Sequence, residues 1–551
     1  MTIAIPGRRE IDADTVRLYH ERGWWRERTF LDDFDEQVAR RADQAAIVAY
    51  RTGAPLPVTL TYGQLDTLSR RFAGALLELG VAPGEAVSLQ LPNGWEFPAL
   101  ALGILRAGAV VNPLVPIFRH RELSFILGRT ESRIVVVPRL FRGFDHGALA
   151  AQLVRELPAL THAFVVGGEP PDGARSFEAH FLERRWEDDR SLAGALAARR
   201  PRADQLVEIQ FTSGTTGEPK GVLHDFNTIY SGGRALRDAL GFTEHDTCFM
   251  ASTLAHQTGF LYGLLQPLSM GMKVVYQDVW NAAEMIAIVD AEQVAFTVSA
   301  TPFVLDMIAA QREAGRSLAS FKYFICGGAP IPPHVVAEAQ EVLDAELIAV
   351  WGMTENAVVT TTRPGQPVEV VSSSDGTPVD WMEIRVVDDD LVERPVGETG
   401  RLQVRGPSQA LGYFHRPDVY AEATTPDGWF DTGDLAWRRE DGGIRISGRR
   451  KDLVIRGGEN IPVVEVEAVL YTHPKVREVA VIGLPDERLG ERACAVVAPE
   501  GEPPTLAELT AHLAEQGAAK QYWPERLELV DEMPKTPSGK IQKFQLRQRF
   551  G

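Results

Sequence analysis

Between Phe211 and Gly221 the chain reads FTSGTTGEPKG, a run whose residue types suit the gripping of phosphate. Hydroxyls at Thr212, Ser213, Thr215 and Thr216 can donate to anionic oxygens. Gly214 and Gly217 let backbone N–H groups approach closely, and Lys220 adds a charge. A Walker A loop needs glycine directly before its lysine and Ser or Thr directly after. Here Pro219 precedes Lys220 and Gly221 follows it, so that reading fails. A surface turn has the same composition, and the stretch alone leaves both readings open.

Further chemistry-bearing stretches follow in order: YFICGGAP over 323–330, WGMTE over 351–355, GWFDTGDLAW over 428–437, GRRKDLVIRGGENIPVVEVE over 448–467 and PKTPSGKIQK over 534–543. Each has an ordinary structural reading. Lys540 reads as a solvated charge, Thr354 with Glu355 as a helix cap, Trp351 as a core ring, and Asp434 as a turn residue.

The elements that must position these residues are read from hydrophobic period. TYGQLDTLSRRFAGALLELGV has Leu65, Leu68, Phe72, Leu76 and Leu77 at helical spacing, with Thr61 placed to cap it. Short apolar runs at 86–91, 133–138 and 162–167 read as buried strands, and so do KVVYQD, AFTVSA, YFICGG and LIAVWG between 273 and 352. Alternation of this kind predicts helix-covered parallel sheets, with ligands gathering at strand ends. From about 383 to 447 short alternating strands and Asp, Gly and Pro turns predict a small β subdomain. Beyond Arg449 a helix, two strands and a helix over 505–518 predict a compact α+β unit of roughly a hundred residues.

With 551 residues the chain exceeds what one hydrophobic core fills. A net charge of −18 opposes a role in tracking nucleic acid. The three cysteines, Cys248, Cys326 and Cys494, are far apart, which suggests neither disulfides nor zinc and fits a reducing cytoplasm. No export signal, membrane span or peroxisomal tail is expected, since the apolar run at 99–116 is broken by Arg106 and prolines.

Taken together, TSGTTGEPKGV and the motifs after it resemble the AMP-forming adenylating superfamily of acyl-CoA synthetases, adenylation domains and luciferases. The resemblance spans roughly residues 60 to 550 in family order. It implies an α/β fold: a large N-terminal domain of helix-covered sheets with a small β subdomain over 1–448, then a mobile α+β C-terminal lid over 449–551 hinged near Lys451.

The resemblance also implies a two-step reaction, in which a carboxylate attacks the α-phosphorus of ATP to release pyrophosphate and a thiol then attacks the acyl-adenylate. A carboxylic acid with a pKa of about 4 is already ionised, so the first step needs charge neutralisation rather than a base. Lys540 matches the lysine that reaches the carboxylate and α-phosphate, Glu355 the acidic residue that helps bind Mg2+, and Thr354 a contact to the α-phosphate. Trp351, with Gly352, stands where the family often has tyrosine against adenine; Gly328, Ala329 and Pro330 form the opposite wall. Asp434 matches the carboxylate on both ribose hydroxyls, Arg449 a further ribose contact, and Gly458 lies by the pantetheine tunnel. Rotation at Lys451 would present Lys540 and then the Gly458 loop.

STLAHQTGFLYG over 252–263 matches the substrate-side motif, with His256 bordering the acyl pocket. It lacks the aspartate with which amino-acid-activating relatives pair an ammonium, which disfavours an amino acid. Ala255, Gln257, Phe260, Ala300, Gly328, Trp351, Gly352 and Val358 suggest a mostly apolar pocket. The N-terminal RLYHERGWWRERTF and the AHQTGF segment resemble ligases of cyclic carboxylates such as cyclohexanecarboxylate, and medium-chain acyl-CoA synthetases. Aryl-acid enzymes are also similar but usually place Asn after the His, where this chain has Gln257. The expectation is an ATP- and Mg2+-dependent ligase joining an apolar carboxylic acid to CoA. Loading of a carrier protein is the alternative; the absence of a fused carrier domain favours CoA.

Overall fold

The structure is a computed structural model that describes residues 6–212, 219–328, 331–452, 454–456, 459–461, 463–486, 490–518, 520–536 and 539–551. Two large sheets carry the first three quarters of the chain. In the nine-stranded sheet the central strands run parallel in the spatial order Glu346–Met353, Tyr323–Gly327, Val294–Ser299, Thr247–Met250, Lys273–Gln277 and Ala45–Tyr50, with antiparallel strands at both edges. The seven-stranded sheet is parallel except for its last pair, Leu206–Thr212 with Lys220–Asp225. The alternating strand and helix pattern therefore gives the helix-covered parallel sheets that it predicts.

The helix Tyr62–Glu78 begins where the spacing places it. Thr61 Oγ1 accepts the Gln64 N–H and the Gln64 side chain returns to the Thr61 N–H, a reciprocal cap. This helix packs on Glu96–Arg106, whose residues are all buried. Charge inside such a helix must be paired. Arg106 accordingly donates to Asp35 at 2.7 Å and to Asp66 at 2.6 Å. Leu65, Phe72, Phe97 and Leu100 share one core with Val87 of the seven-stranded sheet and Val274 and Ile325 of the nine-stranded one. The two sheets are thus packed on one shared apolar core.

The strand predicted over 86–91 stops at Leu89. Gln90 still donates its N–H to the Val136 carbonyl of the neighbouring strand at 2.9 Å, while its side chain turns to the carbonyls of Val115 and Phe118, at 3.2 and 3.0 Å. The small β subdomain is a four-stranded antiparallel sheet running from Glu383–Val387 to Ile444–Arg449. A separate sheet follows, in which the hairpin Val476–Asp486 with Gly490–Pro499 is flanked by the helices Val463–Leu470 and Leu506–Glu515. That unit has its own apolar core around Val466, Val481, Val497 and Leu509. Among the described residues no helix is long and apolar enough to cross a membrane.

Candidate active site

The phosphate-type loop joins the antiparallel pair Leu206–Thr212 and Lys220–Asp225, with Thr212 opposite Lys220. Ser213, Gly214, Thr215, Thr216 and Gly217 lie outside the described residues, as do Ala329, Pro330 and Gly458. Lys220 Nζ sits 5.0 Å from the centre of the Tyr413 ring, within cation–π range. The returning strand is tied to 411–414 by backbone bonds: the Leu223 N–H donates to the Gly412 carbonyl at 3.1 Å and the Phe414 N–H to Gly221 at 2.7 Å.

Tyr413 is the residue that this tie delivers. Its hydroxyl donates to Glu355 Oε1 at 2.7 Å, and the Ala410 N–H donates to the Glu355 carbonyl at 2.7 Å. Burial and the adjacent carboxylate hold the Tyr413 phenol far above its usual pKa, so it stays a donor. Next to Glu355, the Thr354 carbonyl accepts His224 Nε2 at 2.7 Å, while His224 Nδ1 meets Thr228 Oγ1 at 3.0 Å. Burial pushes His224 down to about 4, which leaves a neutral ring with one donor nitrogen. Thr354 and Glu355 are both nearly buried.

Trp351 and Gly352 stand at the end of the strand Glu346–Met353. Gly352 is required by close packing, because a Cβ there would lie 2.1 Å from the Ala357 carbonyl oxygen. Gly328 follows its strand with φ +80, a left-handed turn that glycine adopts without strain. Trp351 Nε1 donates to Asp434 Oδ2 at 3.0 Å, and Arg449 Nε donates to Asp434 Oδ1 at 3.1 Å. Asp434 and Arg449 face each other across paired strands. The carboxylate is therefore aimed from two sides.

Lys540 comes from the far end of the chain. Its N–H donates to Thr536 Oγ1 at 3.0 Å and its carbonyl accepts the Thr536 N–H at 2.6 Å, which closes a tight loop. Gly539 in that loop has φ +82 and lies against Pro302, at the start of the helix Thr301–Ala314. The Lys540 ammonium lies within electrostatic range of Arg449, Asp434 and Glu355. Burial pushes its ammonium down to about 8, Arg449 adds to the fall, and Asp434 and Glu355 oppose it. His256 is pushed down to about 4 by burial and then by Lys540.

Sequence reasoning placed no element after His256. A wide-turned π-helix, Thr258–Leu265, begins directly after Gln257; such turns recur at functional sites. Gly259 lets this turn close on its own approach, since a Cβ there would lie 2.1 Å from the Thr253 carbonyl oxygen. Phe260 is fully buried and meets Phe97 edge-on at 6.4 Å. Ala300 precedes the helix Thr301–Ala314, and the Val358 N–H donates to the Tyr262 hydroxyl at 3.0 Å. Lys451 falls in the single turn Arg450–Asp452 between the β subdomain and the C-terminal sheet.

Thus the folding of distant segments gathers Lys540, Arg449, Asp434, Trp351, Glu355 and His256 into one neighbourhood. Tyr413, His224 and Glu208 were missed from the sequence. Glu208 has a legible signal: it puts a carboxyl inside a strand, LVEIQFT, that is buried throughout its first six positions.

The model of the AMP-binding enzyme family matches residues 34–414, and that of the AMP-binding enzyme C-terminal domain matches 465–540. The chain belongs to the AMP-binding enzyme family. It is 34% identical over 531 residues to the medium-chain fatty-acid–CoA ligase of Escherichia coli, covering 96% of this chain and 92% of that protein. It is 30% identical over 540 residues to the 2,3-dihydroxybenzoate-AMP ligase of Bacillus subtilis, covering 97% and 96%. Its fold matches the crystal structure of the anthranilate CoA ligase AuaEII in complex with anthranoyl-AMP with a TM-score of 0.85 at 26% identity, covering 95% and 97%. As a family member the protein is an adenylate-forming carboxylic acid ligase, of the acyl-CoA synthetase type.

Proposed function

We propose that this enzyme joins an apolar cyclic, aryl or medium-chain carboxylic acid to CoA through an acyl-adenylate, working in the cytoplasm. The observation that carries the reading is the hydrogen-bonded set of Trp351, Asp434 and Arg449, with the Lys540 loop packed on Pro302 and its ammonium within electrostatic range of Asp434 and Glu355. An ammonium and a carboxylate suited to ribose would then serve one nucleotide together.

In the first step the acid's carboxylate oxygen forms a bond to the α-phosphorus of ATP while the bond to pyrophosphate breaks. Lys540 offsets the negative charge that builds on the phosphoryl oxygens, and the 211–221 loop with Lys220 holds the departing phosphates. Thr354 contacts the α-phosphate. Asp434, steered by Trp351 and Arg449, accepts the two ribose hydroxyls. The adenine lies between Trp351 with Gly352 and the Gly328, Ala329 and Pro330 wall.

Among the described residues no group of three or more His, Cys, Asp or Glu side chains could cage a metal. Glu355 nonetheless fits Mg2+, which is commonly held by one or two carboxylates together with substrate phosphates. When bound there it would neutralise phosphate charge. The Tyr413 hydroxyl keeps that carboxylate oriented.

In the second step the CoA thiol sulfur bonds to the acyl carbon and AMP leaves. The C-terminal unit, 449–551, turns about Lys451 between the steps, withdrawing Lys540 and bringing the Gly458 loop to the thiol channel. Similarity to a medium-chain fatty-acid–CoA ligase and to the structure of an anthranilate CoA ligase supports CoA as acceptor. Similarity to a salicyl-AMP ligase / salicyl-S-ArCP synthetase of Mycobacterium tuberculosis, 32% identical over 545 residues, favours a carrier protein as the second reading.

The test is acid-dependent pyrophosphate release across straight-chain, cyclohexane and benzoate acids, with and without CoA. Turnover that requires CoA supports the ligase. An acyl-AMP that stalls with CoA present directs the acyl group to a carrier protein, and no release with any acid overturns the reading.

A further inference from the structure

Lys540 is carried near the tip of a hairpin of the C-terminal unit. Lys535 and Ile541 pair as an antiparallel bridge, the Gln542 N–H donates to the Pro534 carbonyl at 2.7 Å, and the Gly539 N–H donates to the Thr536 carbonyl at 2.9 Å. These bonds shape the tip but do not fix where it points. That falls to whatever holds the two arms. On the first arm Lys535 pairs with Glu478 and is 34% exposed, a surface contact of small effect. On the second arm, just past Lys540, Lys543 Nζ meets Glu467 Oε1 at 2.7 Å, with the two side chains only 14% and 7% exposed. Glu467 Oε1 also accepts the Val481 N–H at 2.6 Å.

Neither charge suits the helix that carries it. Glu467 lies in the last turn of Val463–Leu470, and Lys543 is the first residue of Lys543–Phe550, whose N-terminus has no side-chain cap. The macrodipole disfavours an anion at a helix C-terminus and a cation at an N-terminus. Burial raises the Glu467 pKa as well, which Lys543 and the Val481 N–H oppose. A buried ion pair is a poor source of net stability, because desolvation offsets the attraction. What this pair fixes is a spatial relation. Both helices pack on the strand Val476–Asp486, and the pair binds the residue at the base of the Lys540 hairpin to the first of them.

We propose that Glu467 and Lys543 are positioning residues for Lys540, fixing the base of its hairpin so that the ammonium meets the α-phosphate, and that they serve the adenylation step alone. The inference rests on the functional reading above, in which the C-terminal unit withdraws Lys540 before the thiol attacks. Both residues act through the hairpin and touch no substrate. A loosened hairpin therefore slows adenylation and leaves acyl transfer unchanged. A pair that merely held the unit together would slow both steps.

The experiment measures the two half-reactions separately. Pyrophosphate release from ATP and an accepted acid reports adenylation; acyl-CoA formed from the synthetic acyl-AMP of that acid and CoA reports the second step. The proteins are the native enzyme, Glu467→Gln, Lys543→Met, Lys543→Arg and the double variant of the first two, with Lys540→Ala as reference. In Lys543→Met and Glu467→Gln the adenylation kcat is expected to fall about tenfold or more with a smaller change in KM for ATP, while the second step stays within about twofold. Lys543→Arg keeps the charge and should recover most of the rate. The double variant should lose no more than the worse single one, because the two residues act as a unit.

Equal losses in both half-reactions, or native adenylation in Lys543→Met and Glu467→Gln, overturn the proposal. A full second-step rate shows that the C-terminal unit of a variant is folded. If Lys543→Met fails to fold, Glu467→Gln, which keeps an acceptor for the Val481 N–H, decides by the same criteria. A native enzyme that adenylates but leaves the acyl-AMP unused with CoA overturns CoA as acceptor; an adenylation loss that Lys543→Arg recovers and the double variant does not deepen still supports the positioning role. No pyrophosphate release by the native enzyme with any acid overturns the functional reading, and this inference with it.

Discussion

Trp351 donates its indole N–H to Asp434 at 3.0 Å, which places a tryptophan of one sheet in charge of a carboxylate carried by another. On the proposed reading the wider ring would therefore do more than present a face to adenine. With Arg449 on the other oxygen at 3.1 Å, the carboxylate is held at both oxygens.

Trp351→Phe keeps an aromatic face but removes the donor. A hydrogen bond to a charged group contributes about 1.5–3 kcal/mol. KM for ATP should therefore rise by about tenfold or more, with a smaller change in kcat. Asp434→Asn should weaken ATP further. Pyrophosphate-exchange kinetics at varied ATP checks both.

The lysine supplies a pH signature. Because the Lys540 ammonium is pushed down to about 8 by burial and then by Arg449, kcat/KM for ATP should fall as pH rises through about 8, since that quantity reports the free enzyme. Lys540→Arg, whose guanidinium stays charged, should move this limb upward at reduced rate. Lys540→Ala should lose adenylation by about a hundredfold or more. A descending limb unchanged in Lys540→Arg would contradict the assignment.

Glu355 is oriented by Tyr413 at 2.7 Å. Removing divalent metal with a chelator should stop pyrophosphate release, and added Mg2+ should restore it. Tyr413→Phe should raise the Mg2+ needed for half-maximal rate by a few-fold, on the order of the lost hydrogen bond. Titration of Mg2+ at fixed ATP provides the check, and an unchanged requirement counts against this role.

Glu208 makes stability depend on pH. Its folded pKa, about 8, lies above the ordinary 4.5, so between these values the folded protein holds a proton that the unfolded chain has released. The contribution is full below pH 4.5 and is lost as pH rises through about 8, with a slope of at most roughly 1.4 kcal/mol per pH unit. Glu208→Gln removes the titration, so its stability should vary less with pH over that window. Denaturant midpoints at several pH values test this, and parallel profiles for the two proteins would refute it.

The strands and the capped helix Tyr62–Glu78 were legible because period and capping act locally. The motif residues were legible because their spacing resembles a known family. Tyr413 was not, since what matters is a backbone tie between 221–223 and 412–414, and no local pattern encodes such a pairing. The π-turn Thr258–Leu265 escaped for a related reason: its residues are almost wholly apolar, and burial on all sides erases the periodicity that identifies a helix. His224 looked like any strand residue until the Thr354 carbonyl was brought to its ring.

The most direct measurement is mass-spectrometric analysis of a reaction containing one accepted acid, ATP, Mg2+ and CoA, sampled through a single turnover. The account predicts an acyl-AMP that forms first and converts to acyl-CoA, with AMP and pyrophosphate released in equal amounts and no acyl-AMP from Lys540→Ala. Release of ADP and phosphate, or acyl-CoA formed without an adenylate, would contradict it.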